Sequence, residues 1–327
     1  MKFKKLPIYA ITTALMAAPT MGLAGGYWHD DDEVDLEEAY LYFELNDTDG
    51  DLGIHGKADG DAWKRMKVEG PEGRRERKIL DIRARSGLRR QGLTELFFES
   101  AEPTFDELDP EVFFPRFPEG LYEWEGRTLD YKEIEGEVWL SHIIPAAPVV
   151  ASVGEVDEEV GDNEENPGFE IDDEGEIGKA CWEAVPNGNG GVAISWDAVE
   201  TSHFDMWDVS PQPLLEGEDL RYGGDDQPDR KIPLGVTGTP EDVEYYEFVA
   251  EIDDTEYKST AVVPPEVRSW TIPQEFIALA EADDEGVREI KFEIIVRVGT
   301  GDHLDEDGEP VDSTLGNQSA VEDCFEI

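Results

Sequence analysis

The chain is short of positive charge. Its 327 residues carry 27 Lys and Arg against 79 Asp and Glu, a formal net charge of −52. An excess of this size repels phosphate, which excludes a nucleic acid or an anionic lipid face as the main partner. Histidine is also scarce. His29, His55, His142, His203 and His303 show no metal-ligand spacing, and no H-E-x-x-H occurs. The familiar zinc-enzyme patterns are therefore excluded. No G-x-S-x-G elbow, phosphate loop or dinucleotide fingerprint is present. Beyond the N-terminus, no apolar run reaches the ~20 residues that a membrane-spanning helix needs. Cysteine is limited to Cys181 and Cys324.

Three basic residues do stand together at the start. Lys2, Lys4 and Lys5 precede a short apolar run at 8–18, and Gly22 and Ala24 are small residues at signal-cleavage spacing. Residues 1–24 are expected to be a signal peptide, which makes the protein secreted or periplasmic. In an exported chain, two cysteines favour one disulfide, Cys181 to Cys324. Two glycosylation triplets begin at Asn46 and Asn317. The acid excess has two readings that can coexist. One is the surface of a halophilic protein, kept soluble in high salt by carboxylates. The other is binding of divalent cations.

After a polar leader at 25–36, strand patterns begin. Leu41, Phe43 and Leu45 alternate in one segment; Leu80, Ile82 and Ala84 in a second; Leu96 and Phe98 in a third. Further strands are expected at 121–126 and 137–144, with Pro118-Glu119-Gly120 as a turn. A short helix is expected near 103–112, capped by Thr104 or Asp106. Residues 37–145 thus read as a β-rich N-terminal domain, and the fold class as all-β, with two β-sandwich-like domains. Residues 155–176 hold 12 acids and no base, an acidic insertion or linker near 154–180. Alternation resumes at 191–197, 243–252, 269–273 and 290–298.

Eleven of the cations cluster: Lys64, Arg65, Lys67, Arg74, Arg75, Arg77, Lys78, Arg83, Arg85, Arg89 and Arg90. In a basic protein they would suggest a polyanion patch. In this chain they are expected to pair with its own carboxylates or with a partner's acidic face.

The best candidate site is Asn46-Asp47-Thr48-Asp49-Gly50-Asp51, followed by Asp59-Gly60-Asp61. Calcium needs six to eight hard oxygens from a bent loop, which alternate Asp residues with Gly can supply. Asp47, Asp49, Asp51, Asp59 and Asp61 are the candidate ligands of Ca2+. An EF-hand is excluded, because Leu45 and Gly56 would fall at its first and last ligand positions. The same residues also suit a plain hairpin turn. His55, beside the cluster, reads as a turn or core residue or as a base. Trp63 reads as core or as a ligand contact. Asp302, Asp305, Asp307 and Glu309 form a second acidic loop.

The second half resembles a fibronectin type III domain. The resemblance rests on Ile194-Ser195-Trp196 on the first central strand, a Tyr-rich strand at 243–252, the Thr271-Ile272-Pro273 step, and Phe292-Glu293-Ile294-Ile295-Val296-Arg297-Val298. It covers 146–327 and departs in length and in Phe292, where a corner tyrosine is expected. The whole chain also resembles a group of exported bacterial proteins of unknown function. Here the carrying stretches are Asp49-Gly50-Asp51-Leu52-Gly53-Ile54-His55-Gly56, Asp59-Gly60-Asp61-Ala62-Trp63, Arg89-Arg90-Gln91-Gly92 with the Leu93 to Pro103 segment, and Phe117-Pro118-Glu119-Gly120-Leu121-Tyr122. That resemblance implies architecture and no activity. The expected function is a non-catalytic binding or structural module with a protein or carbohydrate partner. The alternative is a secreted carbohydrate-active hydrolase using a carboxylate pair.

Overall fold

Alternating sequence becomes alternating burial along stretches of several strands, among them 120–124, 192–196 and 258–263. In the computed structural model, the described residues are 33–71, 78–155, 169–171, 177–179, 181–203, 243–253, 255–280, 289–299 and 315–326. The expected signal peptide, most of the polar leader, most of the acidic insertion, Arg74, Arg75, Arg77 and the second acidic loop lie outside them.

The N-terminal part contains β1 (Glu33–Asp35), β2 (Glu38–Asn46), β3 (Asp51–Glu69), β4 (Lys78–Arg83), helix α1 (Ser86–Gln91), β5 (Leu93–Glu99), α2 (Pro110–Phe113), β6 (Gly120–Thr128) and β7 (Glu133–Leu140). The C-terminal part contains β8 (Val150–Val153), β9 (Phe169–Ile171), β10 (Ile177–Lys179), β11 (Trp182–Glu183), β12 (Val192–Trp196), β13 (Val243–Ile252), β14 (Lys258–Val263), β15 (Ser269–Ile272), α3 (Gln274–Ala280), β16 (Ile290–Gly299) and β17 (Leu315–Glu326). The protein is all-β. The helix expected near 103–112 is displaced: Thr104 bridges to Asp51, and the helical turn begins at Pro110.

The element the sequence hides is β3, 19 residues long. Its Asp59-Gly60 step reads as a turn yet lies within the strand, whereas Asp49-Gly50 is the turn that precedes it, with Gly50 at φ 66°. The strand's other glycines serve close approach. A Cβ at Gly56 would strike the Phe98 ring, and one at Gly53 would strike the Glu102 side chain. The first half of β3 pairs with β2 on one edge and β5 on the other. Its second half pairs with β6 and β4. Register shifts between Asp59 and Arg65 mark the change of partners, and such irregularities bend and twist a strand. The bend folds the two halves over one core. Leu41, Phe43, Leu45 and Ile54 meet Met66, Val68, Tyr122, Trp124 and Val138 there.

The C-terminal part is a sandwich of three strands against four. One sheet runs β15-β12-β8, and the other runs β17-β16-β13-β14. The inward residues of β13 and β16 form an aromatic row. Trp196 stacks on Phe248 at 6.3 Å, Phe248 on Phe292 at 6.0 Å, and Phe292 reaches Phe325 at 6.3 Å. Phe292 thus fills the core at the position where the resemblance leads one to expect a tyrosine.

Two cores therefore exist, one built from residues 41–144 and one from 147–325. A single sheet spans both. β17 lies parallel to β2, with Gln318 opposite Glu44, Ser319 opposite Leu45 and Ala320 opposite Asn46. Asn317 locks this seam and is only 2% exposed. Its Oδ1 accepts the Phe43 N–H at 2.8 Å, and its Nδ2 donates to the carbonyls of Ser141 at 2.8 Å and Ile143 at 2.6 Å. A side chain so enclosed cannot carry a glycan in the folded protein. The Ser319 hydroxyl adds a bond to the Pro145 carbonyl.

The expected disulfide is present. Cys181 and Cys324 are bonded, with Cα atoms 4.7 Å apart and a sequence separation of 143. It fastens β11 beside the end of β17, where Trp182 also donates its indole N–H to Asp323 at 2.9 Å.

Two measurements check this account. Asn317→Ala should lower stability by about 2–4 kcal/mol in urea, since three buried backbone groups lose a partner. A control Asn46→Ala, at an exposed bond, should cost less. Replacing both cysteines by Ala should cost up to ~4–5 kcal/mol by chain entropy, and reduction of the wild type should reproduce that loss.

Candidate functional site

Period-2 alternation turns Tyr40, Tyr42, Glu44 and Asn46 of β2 away from the core that takes Leu41, Phe43 and Leu45. The register places His55 of β3 beside Tyr42, and Gln318 of β17 beside Glu44. Beyond Gln318 come Arg297 of β16 and Tyr245 of β13. The seam thus carries one row of polar and aromatic groups across both parts of the protein.

His55 is buried and held on both ring nitrogens. Nδ1 lies 3.3 Å from Glu44 Oε2, and Nε2 lies 2.7 Å from Glu102 Oε1. Its ring faces Tyr42 at 5.3 Å and meets the edge of Phe97 at 6.0 Å. The Arg297 guanidinium caps the other side of Tyr42, 3.8 Å from the ring centre, and reaches the Tyr245 hydroxyl at 3.4 Å. Gln318 donates its amide N–H to Glu44. With both nitrogens engaged, His55 is a structural link between two carboxylates, not a free base.

At the β2–β3 turn the acids crowd. Asn46 donates to Glu322 at 2.8 Å, and the Thr48 hydroxyl accepts the Glu322 N–H at 2.8 Å. Asp51 is pushed up to about 7, first by burial and then by the charges of Glu102, Asp49 and Glu322. Glu293 on β16 is also pushed up to about 7, by burial and then by Glu322 and Glu44. Glu44 is raised by burial, a shift that His55, Gln318 and Arg297 oppose. The seam face is an acidic surface whose members resist ionising together.

The five aspartates do not converge. Asp47 bonds to buried His203 at 3.1 Å. Asp49 is exposed at the turn, and Asp51 opens β3. Asp59 and Asp61 lie further along that strand, roughly 26 Å beyond Asp51 for Asp59 at ~3.3 Å per residue. Asp59 accepts the N–H of its neighbour Gly60 at 2.8 Å. Trp63, the candidate ligand contact, is 0% exposed inside the N-terminal core and presents no platform. Among the described residues, three-ligand groups within 4.8 Å form elsewhere: Glu33, Glu133 and Glu135 on the surface, and Glu289 with the two disulfide cysteines. Glu102, Glu322, Gln318 and Arg297 were not legible as site residues. Sequence separations as large as 274, between Gln318 and Glu44, leave no local signal.

No family model matches the chain, and no curated protein matches it. Among solved structures it is similar to the chicken CNTN1 FN1–FN3 domains, at 7% identity over 90% of this chain and 68% of that one, with a TM-score of 0.24. It is also similar to a two-domain fibronectin type III segment of chicken tenascin, at 8% identity, covering 89% and 99%, with a TM-score of 0.23. A cytokine receptor complex follows at 11%, covering 87% and 94%, with a TM-score of 0.20. Superpositions this loose leave the fold assignment to the strand order itself.

The raised carboxylates set a pH dependence. Asp51 and Glu293 bind more protons folded than unfolded, so their contribution is complete below their ordinary values of 3.8 and 4.5 and is lost as pH rises through about 7. Asp81 and Glu69 are held low by their cationic partners, so they add no slope above pH 5. The urea midpoint should be higher at pH 5 than at pH 8. Asp51→Asn with Glu293→Gln should flatten that slope, and a midpoint rising with pH would contradict the assignment.

Proposed function

We propose that this chain is an exported, non-catalytic binding or structural module, built as one stiff two-lobed body. The observation that carries the reading is the β2–β17 seam, which joins the outer faces of both lobes into one surface. Such a surface suits a protein or carbohydrate partner that spans the two lobes. Export is supported by the signal-like start and by the disulfide, since such bonds persist in oxidising compartments. No helix among the described residues is long and apolar enough to cross a membrane.

The rival reading is a carbohydrate-active hydrolase, with Glu44 and Glu102 as its acids. Both already bond to His55, which leaves them little freedom to protonate a leaving group. Incubation with a panel of polysaccharides should retard the protein in affinity gels without releasing reducing ends. Release that disappears in Glu102→Gln would establish the hydrolase instead.

A second reading adds calcium at the β2–β3 turn, where Asp51 lies in the field of Asp49 and Glu322 although the three are not drawn into one cluster. It is favoured by the elevation of Asp51, which a bound cation would relieve. Asp59 and Asp61 have no part in it. Calcium at millimolar concentration should raise the melting temperature more than magnesium does at matched ionic strength. The gain should vanish in Asp49→Asn, Asp51→Asn, and equal gains in both proteins would remove the site.

A further inference from the structure

The basic cluster is only partly neutralised by the protein itself. Arg65 and Arg83 share Asp81 at 2.9 and 3.3 Å. Lys67 takes Glu69 at 2.7 Å and Glu125 at 2.5 Å, and Lys78 reaches Glu69 at 3.3 Å. Arg127 pairs with Glu133 at 2.5 Å. Among the described residues, no ion pair joins Lys64, Arg85 or Arg89 to a carboxylate. These three line one cavity of about 440 Å³, between β3, β4, α1 and the β6–β7 hairpin.

Lys64 is the clearest sign of purpose. Its Nζ is buried without a hydrogen-bond acceptor and sits 3.2 Å from the centre of the Tyr131 ring. Leaving an ammonium so placed is costly unless something pairs with it. Burial and the nearby charges of Arg127 and Arg89 push it toward the neutral form. Among the described residues its close partner is the Tyr131 ring, and Asp130 opposes the shift only through its charge. The acids that do line the cavity are Glu125 and Glu133, already paired, and Glu135, which burial and neighbouring acids raise.

Backbone strain lies next to two of the lining residues. Among the described residues, two non-glycine residues have left-handed backbone, Ser86 with φ 45° and Tyr131 with φ 76°. Ser86 follows Arg85 at the start of α1, and Tyr131 lies over Lys64. Strain held by the surrounding structure gathers at ligand clamps. Tyr131 is also 67% exposed.

We propose that this cavity binds a small molecule bearing a phosphate or sulfate monoester, with Arg85 and Arg89 on the oxyanion and the Lys64 charge beside them. Its volume suits a ligand of sugar size. Arg85, just before α1, and Arg89 within it can each engage two oxygens of a tetrahedral oxyanion, and Lys64 of β3 adds a further positive charge. The site is independent of the seam and of any partner bound there.

Calorimetric titration of the full-length mature protein with glucose 6-phosphate, glucose 6-sulfate and glucose tests this directly. At least one ester should bind at millimolar or lower concentration, and glucose should not. Preference between the two esters names the source of the oxyanion. Arg85→Gln with Arg89→Gln, both exposed, should weaken binding at least tenfold while leaving the melting temperature unchanged. Arg90→Gln, outside the cavity, should leave affinity unchanged. Absence of binding by both esters, or binding that the double variant leaves intact, would overturn the proposal.

Discussion

The structure depends on one pairing between distant ends of the chain. The last strand lies parallel to the first long one, and Asn317 fixes the register by reaching both β2 and the segment at Ser141 and Ile143. A parallel pair cannot be closed by a hairpin, so the whole C-terminal sandwich serves as its connection. Each core could bury its own apolar face without this seam. With it, β2 is no longer an edge strand, and the unpaired backbone groups that invite aggregation are covered.

The same pairing explains the electrostatics. A chain of net charge −52 would keep its acids apart and wet if it could. The seam brings Glu44, Asp51, Glu102, Glu293 and Glu322 from five segments onto one face. His55 and Arg297 are set among them. His55 lies between two carboxylates, and Arg297 covers Tyr42. The rest of the repulsion remains as carboxyls that hold their protons toward neutral pH. The basic cavity is the complementary case, in which like cations meet with only partial internal relief.

Much of the fold was legible in the residues. Alternation located β2, β4, β5, β6, β7, β12, β13, β15 and β16, because each has one buried face and a period of two shows that directly. The disulfide followed from a count of two cysteines and an exported start. What misled was glycine. Gly53, Gly56 and Gly60 punctuate β3 as turns would, although Gly53 and Gly56 make room for Glu102 and Phe98 crossing from the next segment. Cutting β3 at those glycines made one calcium loop of five aspartates that the strand holds far apart. Trp63 looked displayable for the same reason, since its strand was read as a turn. The seam partners left no local trace, and neither did the division of the basic cluster into paired and unpaired cations. Both are set by tertiary contact alone.

Native-state hydrogen exchange tests the central claim most directly, because it reads the seam apart from the two cores. The amides of Phe43, Leu45, Ser319 and Ala320 should exchange only with the opening that also exposes β13 and β16, with the same free energy and the same denaturant dependence. Exchange of those seam amides through a separate, low-energy opening, while Phe248 and Tyr122 stay protected, would contradict the account and leave two lobes that merely touch.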